Sequence, residues 1–211
     1  MHVTARQHCL EQLAAHWMSS ELRKGDPVNA WLWYVTRATG IVATVLMLAS
    51  LAWGFLFSAR ETGTRLRPAW WLDLHKGLGG LALVFTVVHL VTAFADSDLG
   101  VSLATMLVPG AADTTTAAFT WGVIAFYGLA VAIFTSWPKM LFRRRTWRMV
   151  HLLSVPATAL ACVHAYQIGS DAHSAAFRIL MPVAVGCAVY PLGVRVVGLA
   201  LSKSQRTPSN N

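Results

Sequence analysis

Five stretches of the chain, residues 31–57, 70–95, 117–137, 146–168 and 177–199, are apolar at nearly every position, with polar residues gathered in the links between them. Each is long enough to cross a bilayer as a helix, which takes about 20 residues at about 1.5 Å each. A helix packed on a soluble core shows an apolar stripe, whereas these runs are apolar all round. The pattern predicts an all-α fold, an integral membrane bundle of about five transmembrane helices over residues 31–201. A polar, amphipathic segment precedes it at 1–30, and a polar tail follows at 202–211. The piece at 101–110 reads as a short interfacial helix, and Asp26, Pro27 and Asn29 as the break before the first span.

Composition supports a membrane protein. The 211 residues are 55% hydrophobic and 12% charged, with mean hydropathy +0.52, where soluble domains carry about 25% charged residues. The net charge of +8 does not point to nucleic acid, because the basic residues sit in short links as topology signals do. Arg60, Arg65, Arg67, Lys139, Arg143, Arg144, Arg145, Arg148, Lys203 and Arg206 fall on one side, while the 96–116 link has Asp96, Asp98 and Asp113 and no lysine or arginine. The positive-inside rule then puts the C-terminus in the cytoplasm and the N-terminus outside, in a bacterial-type plasma membrane. The first residues carry no apolar h-region, so no cleavable signal peptide is expected. Cys9, Cys162 and Cys187 have no metal-site or disulfide spacing, and His2, His8, Cys9 and His16 match no defensible metal site.

Histidines change the picture. Ionisable residues are rare inside membrane helices and mark function when they occur. The second span holds His75 and His89, fourteen residues apart, and the fourth holds His151 and His164, thirteen apart. Fourteen helical steps leave two side chains roughly 40° apart in direction and about 21 Å apart in depth. Both spans run in the same sense, so His75 lies level with His151 and His89 with His164. Thirteen steps on a straight helix would set His151 and His164 roughly 140° apart; either Pro156 between them kinks the helix and re-aims its outer half, or the two haems approach from different sides, and the sequence does not choose between these. Neutral imidazole ligates haem iron, and two matched depths point to two bis-histidine b haems held between spans two and four. Zinc would gather its ligands at one depth. A haem-free transporter or proton relay, and a subunit that only anchors a redox partner, are the competing classes.

Other residues acquire candidate roles from that placement. Arg37, about a turn inside the first span, either snorkels to the interface or serves the outer haem. Lys76 and Arg148 flank the inner histidines, beside Trp70, Trp71 and Trp147, and are candidate propionate partners or plain topology signals. Gly77, Gly79 and Gly80 give clearance for helix packing or for a macrocycle. Tyr127 is a candidate hydrogen-bond donor in the histidine-free third span, and His173 a solvated loop residue. The run Arg143–Arg145 could dock an acidic partner or anionic lipid.

The paired fourteen- and thirteen-residue spacings, with HKGLGGLALVFTVVHLV around the first pair, resemble the ferric reductase transmembrane domain over residues 31–200. The resemblance implies an oxidoreductase component in which His75 and His151 hold an inner haem b and His89 and His164 an outer one, with Arg37 near the outer. It also implies an acceptor at the outer face: ferric iron, oxygen or a protein. Many members carry a flavin and nicotinamide module after the last span. No Gly-rich nucleotide loop follows here, and the family's first helix has no counterpart. Electrons are therefore expected from a separate cytoplasmic flavoprotein or a quinol.

Overall fold

The computed structural model describes residues 27–59, 68–136 and 143–204. The expectations for the N-terminal segment, the 60–67 link, Lys139 and the extreme tail fall outside the described residues. Helices occupy Pro27–Ala59 (α1), Pro68–Ala95 (α2), Leu103–Leu107 (α3), Thr116–Phe134 (α4), Arg144–His151 (α5), Ser154–Ile168 (α6) and Ala175–Ser204 (α7), with a 3₁₀ turn at Ser170–His173. No strand occurs among the described residues, and five segments are long and apolar enough to cross a membrane, α5 and α6 together making the fourth.

Local chemistry explains the boundaries. Pro27 and Pro68 open α1 and α2, where the missing N–H costs nothing and the fixed φ suits a first turn. The helix therefore starts before Asn29, whose amide bonds to Ser97 instead of breaking the chain. Ser102 caps α3 by accepting from the Thr105 N–H, and the Tyr127 hydroxyl donates to the Leu107 carbonyl, tying α3 to α4 as a donor there was expected to do. Inside the apolar helices, Thr39, Thr44, Thr86, Thr92 and Thr158 turn their hydroxyls back on the carbonyl four residues earlier. A hydroxyl buried among apolar side chains, as in Thr39, Thr44 and Thr158, or facing lipid would otherwise lack a partner.

The fourth span is broken. After His151 the chain takes a turn at Leu152 and Leu153, where Leu153 N–H donates to Val150 and Val155 N–H to Leu152, both three residues back. Pro156 is the cause: it has no N–H to give Leu152, and its ring crowds that same carbonyl. The expected kink thus lands one turn ahead of the proline.

α1 packs along α2, α4 along α6, and α7 along α1, while α2 and α6 lie across from each other with almost no close backbone approach. Gly128 of α4 lets Ala157 of α6 come near, since an added Cβ would stand 2.8 Å from the alanine methyl. Midway along the bundle Met47, Ala82 and Leu129 form a buried cluster, joined by Leu46, Leu83, Ile133 and Ala161. Ile41, Val45, Val84, Val91, Phe134 and Val183 point outward and exposed, the surface that lipid covers in a membrane.

Candidate functional site

The four intramembrane histidines come together as two pairs. The His75 and His151 rings lie 5.8 Å apart, centre to centre, at 74°, and the His89 and His164 rings 6.5 Å apart at 82°. Fourteen-residue spacing on α2 and the break between α5 and α6 together bring this about, and Met47, Ala82 and Leu129 fill part of the interval between the two levels.

Each ring is fixed from behind. His75 Nδ1 lies 3.0 Å from the Ser50 carbonyl, His89 Nδ1 2.8 Å from the Thr36 carbonyl and His164 Nδ1 2.7 Å from the Ala118 carbonyl. A carbonyl only accepts, so these three nitrogens carry the proton. His151 reaches the same state differently. Its Nδ1 lies 3.2 Å from Ser136 Oγ, which donates its own proton to the Ala132 carbonyl and accepts from the Trp147 indole as well. With the hydroxyl proton committed, His151 must donate. All four imidazoles therefore hold Nδ1–H and present Nε2 with its lone pair free, the form a metal ligand takes.

Pair geometry matches a shared metal. Two imidazole nitrogens about 2 Å from one metal ion put their ring centres about 6 Å apart, between the two observed separations. Each level holds two histidines, and no group of three or more His, Cys, Asp or Glu side chains gathers among the described residues. A tetrahedral zinc site is not built here; a planar macrocycle that supplies the other four donors fits the donor set.

At the His75 level, Trp53, Trp70 and Trp71 cluster, with Trp53 and Trp71 stacked at 4.6 Å, and Trp147 stacks on His151 at 5.2 Å. The indole N–H groups of Trp53 and Trp71 are buried with no acceptor, a state that costs about 1–3 kcal/mol each unless something supplies one. Lys76 and Arg148 are exposed near this level, and Lys76 pairs with Asp73 on its own helix at 3.7 Å. At the His89 level Arg37 lies 4.9 Å from the Trp33 ring and forms an ion pair with Asp171 of the 3₁₀ turn. That pairing was not foreseen. It engages the guanidinium that sequence reasoning had offered to a haem. His173 is exposed, as expected of a solvated residue; Cys162 is a half-buried free thiol, and Cys187 is an exposed one.

A family model described as the ferric reductase like transmembrane component matches residues 39–162. The chain belongs to this ferric reductase-like family. His75, His89 and His151 lie inside the match, His164 just past its end and Arg37 just before its start. Membership points to transmembrane electron transfer in general terms, and members of the ferric reductase-like family typically bind haem. Comparison with curated proteins and with solved structures returns no match.

Sequence reasoning missed the groups behind the rings. Ser50 and Thr36 are fourteen residues apart, as are His75 and His89, so two carbonyls on the neighbouring helix meet two rings at the same interval. Gly79 packs against Ser50, whereas a Cβ at Gly77 or Gly80 would meet nothing.

Proposed function

We propose that this chain is a di-haem b electron-transfer subunit. One haem is held by His75 and His151 toward the cytoplasm, and the other by His89 and His164 toward the outer face. The observation that carries this reading is the common tautomer: four intramembrane imidazoles, each held through Nδ1 by a carbonyl or hydroxyl of another segment and each leaving Nε2 free, in pairs whose ring centres lie 5.8 and 6.5 Å apart.

Bound haem iron supplies reversible one-electron chemistry. The protein's part is to hold and shield. Histidines on both sides leave no open coordination position, which suits electron passage better than oxygen binding. Carbonyl acceptors behind His75, His89 and His164 orient those rings and fix their tautomer. The mid-bundle residues Met47, Ala82 and Leu129 make the interval between levels largely apolar, and the hydroxyls of Thr44, Thr86 and Thr158 there are turned back on their own helices. Lys76 and Arg148, both exposed at the cytoplasmic level, are the cations that would pair with a haem carboxylate there. Arg37, tied to Asp171, stands at the outer level as a structural clamp or a second polar partner.

Electrons then enter at the His75/His151 level from a separate flavoprotein or a quinol and leave at the outer face to ferric iron, oxygen or a protein. The basic links place the C-terminus in the cytoplasm, with the N-terminus outside. The test is transmembrane electron flow in vesicles holding the purified protein, with ferricyanide trapped inside and dithionite added outside. The expected result is reduction of the trapped ferricyanide that His89→Ala abolishes. Haem-loaded vesicles that pass no electrons would overturn the proposal.

A further inference from the structure

Three of the four rings sit over a glycine. A Cβ added at Gly122 would stand 2.7 Å from His164 Nδ1, one at Gly40 2.9 Å from His89 Nδ1, and one at Gly54 3.2 Å from His75 Cε1. In each case the carbonyl that takes the ring's proton belongs to the residue four earlier: Ala118, Thr36 and Ser50. The coincidence has a geometric cause. Side chains on a helix lean toward its N-terminus and cover the turn before them. A side chain four residues on therefore shields a carbonyl's outer lone pair, and glycine at that position uncovers it.

We infer that Gly40, Gly54 and Gly122 are positioning residues, notches that let an imidazole from the facing helix reach a carbonyl and so fix Nε2 toward the metal; the inference rests on the di-haem reading. His151 is the informative exception. Its acceptor is the Ser136 hydroxyl, a side-chain oxygen two residues past the end of α4, and the ring leans on Trp147 instead. No notch is required there.

The notches act through the rings they back. An alanine at Gly122 or Gly40 must push aside a ring that is already held by a hydrogen bond, and the displaced ring loses either its acceptor or its ligand direction. Other glycines serve as internal standards. Gly77 and Gly80 face open space, and Gly128 opposes Ala157 with no histidine present.

The test measures haem per chain and the low-spin electron paramagnetic resonance signals of purified wild type, G122A, G40A, G54A, G77A and G128A. Wild type is expected to hold about two haems per chain. G122A and G40A should each fall to about half that content, losing the signal of the His89/His164 level only. G54A, with the looser contact, should keep its haem content and shift the signal of the other level. G77A should match wild type, and G128A should lower thermal stability without singling out one signal. G40A and G122A that retain full content and unchanged signals would overturn the inference alone. So would loss of both haems together with loss of helix, because a notch acts on its own level. A haem-free wild type would overturn the electron-transfer reading itself, and this inference with it.

Discussion

His75 and His89 stand fourteen residues apart on one unbroken helix, whereas His151 and His164 stand thirteen apart on a segment that turns at Leu152 and Leu153. On α2 the periodicity alone aligns the two rings. On α5 and α6 it would misalign them, and the break makes the correction. Residues in 3₁₀ geometry advance about 120° each instead of about 100°, so the tightened stretch ahead of Pro156 rotates His164 back toward the His151 face. The bend re-aims what remains. The same pairing is thus reached by regularity on one side of the bundle and by a proline on the other.

That contrast can be broken outright. Replacing His89 or His164 with alanine should remove one level's haem and leave the other, so haem content falls by about half; replacing His75 or His151 should do the same at the opposite level. Equal loss from all four would mean that the levels are not independent. A smaller but more specific effect is expected from Pro156→Ala. Restoring an N–H lets the helix run on, which turns the two rings of the fourth span apart and lowers haem content while the α2 rings stay in place. Unchanged content would show that packing against α4, rather than the proline, holds the break.

The contrast can also be sharpened at each level. Arg37 on α1 and Asp171 beyond α6 tie together the elements that carry and back His89 and His164. Asp171→Asn should lower stability by about 1–3 kcal/mol, typical of a half-buried charge-assisted pair, read from the thermal midpoint with haem content unchanged. Ser136→Ala should act least on stability, about 1 kcal/mol. It leaves His151 without its Nδ1 acceptor, so a redox titration should show one potential moved and the other in place.

What the sequence disclosed follows the same division. Hydropathy located all five spans, because apolar length is a property of single segments. The levels of the four histidines followed from their spacing, and the kink from Pro156, since both are local. The Thr36, Ser50 and Ala118 carbonyls were not legible as acceptors, because any helix carbonyl is a candidate until the facing helix is known. Gly40, Gly54 and Gly122 were passed over for a related reason: in an apolar helix glycine reads as packing, and Gly128 shows that it often is. Gly77 and Gly80, which drew attention by lying beside His75, face open space. Arg37 was read against the membrane interface or the outer haem, but its partner Asp171 lies far along the chain, on a short turn that no periodicity announces.

The most direct measurement is a redox-titrated optical spectrum of the purified protein with its haem-to-protein ratio. Two low-spin, six-coordinate b haems per chain, about equal in amount, are predicted, with sharp reduced bands and no carbon monoxide adduct. A protein that purifies with no haem, or with one that binds carbon monoxide freely, would contradict the reading of His75, His89, His151 and His164 as paired axial ligands.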